Sequence, residues 1–194
     1  GSTHPDLTAT DLDMLFPAGG DGKALEPALA RLFVQADKAI RGGATLLVLT
    51  DRNMNAGRAP IPSLLATAGL HHHLIRRGLR TQASIVVESG EPREVIHFAL
   101  LLGYGANAIG PHTVLSTIRE LAESESLEAP LLPGEAVDRY VTSVKKGLLK
   151  TFSRMGISTL RSFLGSQIFE AVGLGKDLVE KYFTNTASRI AGIG

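Results

Sequence analysis

Seven residues stand where chemistry could be built: Asp51, Arg52, Glu88, Glu91, His112, Ser166 and Gln167. Each follows a short apolar run, so an alternating α/β chain would gather them at the carboxyl ends of its strands, where such folds hold their ligands. Asp51, Arg52, Glu88 and Gln167 together could clamp a phosphate or a carboxylate. Glu88 and Glu91 would form an acid/base pair if both faced a cleft. Glu91 also precedes Pro92, and a carboxylate there suits the start of the next helix, where Pro has no amide hydrogen to leave unpaired. Ser166 has neither a G-x-S-x-G elbow nor evident His and Asp partners, which argues against a serine hydrolase.

Three further motifs look chemical and read better as structure. His71, His72 and His73 sit in a helical stretch where successive residues point about 100° apart, so they cannot all face one ion. His71 falls with Leu64, Ala68 and Ile75 on the apolar stripe, His72 at its margin, and His73 away from it. No carboxylate or second helical His completes a zinc pattern. GYGANA, Gly103 to Ala108, fits a loose dinucleotide fingerprint but runs from helix into strand, the wrong polarity for amides to face a pyrophosphate. Around Gly20, Gly22 and Lys23, a phosphate loop fails because Pro17 replaces its first Gly and Ala24 its hydroxyl.

Composition narrows the classes. The 194 residues contain no cysteine, which removes disulfides, thiolate metal sites, iron–sulphur ligation and cysteine nucleophiles. A net charge of +1 predicts weak attraction to nucleic acid. The basic helix face of Lys145, Lys146, Lys150 and Arg154 lacks interleaved aromatic residues to stack bases. No run approaches a membrane span and no signal peptide is evident, so a cytoplasmic location is expected, or a plastid if the source is a photosynthetic eukaryote. Gly1 and Ser2 resemble a cloning scar. Residues 1–11 read as that scar and a polar lead-in, 12–194 as one α/β domain, and 124–134 as a surface loop carrying Pro130 and Pro133.

The elements that must position these groups alternate. Leu25, Leu29, Leu32, Ala36 and Ile40 predict a helix closed by Gly42 and Gly43. Strand-forming runs at Thr45 to Thr50, Thr81 to Glu88 and Ala106 to Gly110 alternate with helices at Pro62 to Gly78, Arg93 to Leu102 and Thr113 to Ala122. A long helix ends near Met155. A fourth strand is expected over Ser158 to Leu164, then short helices around Ile168 to Val172 and Asp177 to Phe183. The fold class is therefore α/β, about four parallel strands alternating with helices, forming either half of an eight-stranded barrel or an open sheet.

KKGLLKTFSRMGISTLRSFLGSQIFEAVGL, Lys145 to Leu174, closely resembles the end of the central domain of the glutamate synthase large subunit. APIPSLLA, HHHLI, VVESGEPREVIHFALLLGYGANAIGP and YFTNTASRIAGIG resemble other strings of that domain in the right order, so the resemblance covers nearly everything from Leu12 onward. The family more often has Ala at Ser166, Gly at Asn185, and Asn-Pro-aromatic at Gly110, Pro111 and His112.

The resemblance implies a part of a larger enzyme that makes glutamate from glutamine and 2-oxoglutarate. In that family a glutaminase domain releases ammonia, which passes through an internal tunnel. An FMN domain then reduces 2-iminoglutarate with electrons relayed through an iron–sulphur cluster from a reduced pyridine nucleotide or ferredoxin. Partners would be the glutaminase and FMN domains of the same chain, and an electron-donor subunit or ferredoxin. The nucleophile and the cluster ligands are cysteines, so the expectation is a fragment without cofactor, metal or turnover that orients active sites located elsewhere. The competing expectation is an autonomous module that binds a small phosphate or carboxylate.

Overall fold

The computed structural model describes residues 7–19, 22–124 and 131–193. Its centre is a parallel sheet of four strands, β1 (Ala9–Asp13), β3 (Leu46–Thr50), β5 (Ser84–Glu88) and β6 (Ala108–Gly110), paired in that order. It is open rather than a closed barrel. Between the first two strands lie β2 (Leu15–Pro17) and α1 (Leu25–Arg41). β4 (Arg58–Pro60), antiparallel to β2, and α2 (Ser63–Arg76) lead to β5, and α3 (Val95–Gly103) leads to β6.

Strand order that never reverses stacks successive crossover helices against the same side of the sheet. Leu12, Leu49 and Val87 share one register row on that side, and Leu47 and Ile85 share another. These five side chains pack with Leu29, Leu32, Ala36, Ala66, Leu70 and Leu74 of α1 and α2 into the main core. Leu47, Leu49, Ile85 and Val87 are fully buried, while Leu46, Val48 and Val86 on the opposite face are only half-buried. The sheet thus has one dry side and one open side.

A second cluster fixes the carboxyl-terminal part. α4 (His112–Glu123) packs on α5 (Pro133–Arg154), and α5 packs on α3. Gly147 is what permits the second contact, since a Cβ there would press on Val95 of α3. Phe152 and Phe163 meet with ring centroids 4.1 Å apart and join Ala99 and Leu102.

Four parallel strands are present, but the fourth is not the expected one. Ala9 to Asp11, read as lead-in, open β1, whereas Ser158 to Leu164 forms a turn of helix, α6 (Leu160–Phe163). Thr159 causes the difference: its Oγ1 accepts the amide of Ser162, a local cap that a strand cannot use. The helix expected around Ile168 to Val172 is instead β7 (Glu170–Leu174), parallel to β8 (Ala187–Ile193), with α7 (Lys176–Tyr182) between them. The expected loop over 124–134 falls largely outside the described residues, as do Gly1, Ser2 and Gly20.

Candidate functional site

At the carboxyl ends of β3, β5 and β6 the structure brings together five of the seven singled-out residues. Asp51 follows β3 and is 2% exposed, so its carboxyl oxygens need hydrogen-bond partners. It has them: Ser89 Oγ donates at 2.6 Å, the Gly90 amide at 3.0 Å and His112 Nε2 at 2.7 Å. On its other side His112 Nδ1 lies 3.3 Å from Thr113 Oγ1. One carboxylate thereby ties the ends of three strands.

Glu88 is held from two sides, by Arg52 Nε at 2.7 Å and by Thr50 Oγ1 at 3.0 Å. Burial acts to raise its carboxyl, but the hydrogen bonds from Arg52 and Thr50 and the charges of Arg52 and His112 outweigh that and hold it below the usual carboxylate range. Glu91 does not start the following helix, as its place before Pro92 suggests. Its Oε2 accepts the Ser63 amide at 2.8 Å and also the Ser63 hydroxyl, so it caps α2, 28 residues earlier. α3 is capped by Glu94, whose side chain accepts the amide of His97 while His97 accepts the Glu94 amide. The carboxylate pair is divided between two structural contacts, Glu88 with Arg52 and Thr50 and Glu91 with Ser63.

Ser166 and Gln167 lie elsewhere. The Gly165 amide donates to Leu102 O and the Gln167 amide to Gly103 O, placing this turn at the carboxyl end of α3 and hence at the amino ends of the strands. There Gln167 Nε2 lies 3.0 Å from His72 Nε2. Ser166 Oγ and Gln167 Oε1 are buried without a hydrogen-bond partner, and Gln167 has a left-handed backbone with φ of 52°.

The centre of this second cluster is Arg80, which no local sequence signal marks. Its Nε donates to His71 Nδ1 at 2.9 Å, Nη1 to Ala83 O, and Nη2 to Gly105 O and Asn107 Oδ1. Asn107 Oδ1 also accepts the Ile85 amide, so the network spans the entries to β5 and β6. His71 takes the expected buried position, but His72 is buried as well rather than marginal. Burial, then the charge of Arg80 and then His72 lower the pKa of His71 to about 4. Burial and Arg76 lower that of His72. His73 turns outward to Asp37, with Nε2 2.9 Å from Oδ1. Among the described residues no three His, Cys, Asp or Glu side chains are grouped to hold a metal, and no helix is long and apolar enough to cross a membrane. A phosphate clamp is no better supported, because Asp51 and Glu88 would repel the anion and Arg52 is already engaged.

The sequence of the glutamate synthase central domain matches residues 2–175. The chain belongs to this family. It is 48% identical over 190 residues to the NADPH glutamate synthase large chain of Bacillus subtilis (strain 168), covering 98% of this chain and 12% of that one. It is 44% identical over 200 residues to ferredoxin-dependent glutamate synthase 2 of Synechocystis sp., covering 96% and 13%. The family segment thus spans about an eighth of these relatives. Its fold is also similar to flavocytochrome b2 variants, one with benzoylformate, at a TM-score of 0.55 and 15% identity over 68% of this chain and 31% of that one. An arginine-to-lysine variant gives the same TM-score over 76% and 37%. At that identity the likeness concerns the fold alone.

Proposed function

We propose that this central-domain segment serves glutamate synthase as a rigid connector, positioning the glutaminase and FMN domains of the same polypeptide and contributing wall to the ammonia route between them. The observation that carries the reading is the use made of the strand-end carboxylates. Asp51, Glu88 and Glu91 stand where this architecture usually presents reactive groups, and each is engaged in holding strands or a helix start. A connector of this kind works by preorganisation, since holding two reacting centres at fixed separation replaces a search through solution.

Neither cofactor associated with the family fits these residues. Cluster ligation needs thiolates, and the chain has none. The FMN phosphate would meet Asp51 and Glu88 at the strand ends, beside the single engaged guanidinium of Arg52. In this reading both cofactors are held by other parts of the synthase.

Thermal shift of the 194-residue chain with FMN, glutamine, glutamate and 2-oxoglutarate tests the reading. No saturable shift is expected with any of them, nor reduction of 2-oxoglutarate when FMN and a reductant are supplied. A saturable shift with one ligand would replace the connector by a binding module.

A further inference from the structure

The β7–β8 pair is exposed in a way that parallel strands seldom are. Parallel ladders occur almost only where both faces are covered, and a two-stranded sheet is marginal in water. Here all seven residues of β8 are exposed, with Ile190 at 60% and Ile193 at 83%, and Val172 of β7 is 65% exposed.

The ribbon is nonetheless anchored. Tyr104 Oη and Thr186 Oγ1 lie 2.8 Å apart at the start of β8, Phe169 stacks on Tyr104 ahead of β7, and Ala171 enters the core. Gly173 and Gly192 let the strands cross closely, since a Cβ on Gly192 would collide with the Gly173 backbone. The unit is therefore held in place with its outer surface bare.

Its chemistry is that of a strand made to be covered. Edge strands are normally protected by Lys, Pro or inward charges. ASRIAGI contains only Arg189, whose charge is matched by Glu170 at 3.4 Å. An uncharged, branched surface of this kind favours another strand over nucleic acid or an anionic membrane. The occupant follows from length: relatives at 48% and 44% identity are about eight times longer, so most of such a polypeptide lies outside these 194 residues.

We propose that β8 is an interdomain docking strand whose free edge and outer face are covered, in the full synthase, by a further strand of the same polypeptide. The proposal rests on the chain being part of glutamate synthase, and it deepens that reading by naming the surface.

Hydrogen exchange of the β8 amides tests it in two proteins: the 194-residue chain at low concentration, and the B. subtilis large chain with its 48%-identical segment replaced by this one. Exchange in the long chain is expected to be slower by about 100-fold or more, as for an edge turned into an interior strand. The unmodified B. subtilis chain, read over the aligned strand, gives the same comparison should the chimaera not fold. Ile190→Glu with Ile193→Glu should leave the melting temperature of the short chain unchanged and restore fast exchange in the long one. Equal exchange in both proteins overturns the proposal. So does protection of the short chain that rises with concentration to match the long one, which would make a second copy the occupant. Failure of the connector reading would appear as ligand binding by the short chain, a result that leaves the exchange comparison independent.

Discussion

Acid should loosen this protein through its buried imidazoles, His71 foremost. His71 is buried against Arg80, and its pKa falls from 6.5 to about 4 on folding. The unfolded chain therefore takes up a proton at this site between pH 6.5 and 4 while the native state does not. By linkage the stability is complete above pH 6.5 and is lost as pH falls through that window. A tenfold difference in proton affinity between the two states corresponds to ~1.4 kcal/mol. The full separation would give ~3 kcal/mol, and allowing for the solvent that reaches the ring through its pocket leaves about 2 kcal/mol. Chemical denaturation of the wild type and of His71→Asn between about pH 7 and 4 measures it. Asn keeps an acceptor for Arg80 Nε but cannot be protonated, so the variant should show a shallower loss of stability by about that amount. Parallel curves would refute the reasoning, because the remaining groups facing the site, His72, Arg76 and Arg80, are common to both proteins.

Three further substitutions separate structural positions from a surface one. Asp51→Ala leaves Ser89, Gly90 and His112 without their shared acceptor and should cost about 3 kcal/mol, a melting temperature lower by ~10 °C, whereas Arg52→Ala, which removes a half-exposed ion pair, should cost less than ~1 kcal/mol. Gly105→Ala should cost at least ~3 kcal/mol, because Gly105 has φ of +109° and a Cβ there would strike the His71 ring; a melting temperature within ~2 °C of wild type would show that the His71 ring can shift aside.

What the sequence revealed depended on how far each signal reached along the chain. α1, α2, β3 and β5 were legible because their apolar periodicity is local and their ends carry Gly or polar residues. Ser158 to Leu164 misled because Leu160, Phe163 and Leu164 between Gly156 and Gly165 suit a buried strand as well as a capped helical turn. That one misreading displaced two site residues: after a strand, Ser166 and Gln167 would emerge at the carboxyl ends, but after a helical turn they fold back under α3. The pairing of Glu91 with Ser63 across 28 residues left no local trace, and neither did the four acceptors of Arg80.

The two polar clusters explain how an open sheet with one uncovered face can hold a fixed shape. A closed barrel locks its strands through a continuous ladder, which four strands cannot provide. Here the carboxyl ends are tied through Asp51 and the amino ends through Arg80, each bridging separate strands or their entries with several charge-assisted hydrogen bonds. The apolar core resists separation of helices from sheet and also a one-residue slip, which would turn its buried rows outward, and hydrogen bonds between strand ends add a further restraint specific to register. Both clusters are of that kind. If the synthase uses this segment to keep two reaction centres at a set distance, the stiffness belongs to these strand-end bonds as much as to the core. Weakening Asp51 should then impair transfer between centres before it unfolds the domain.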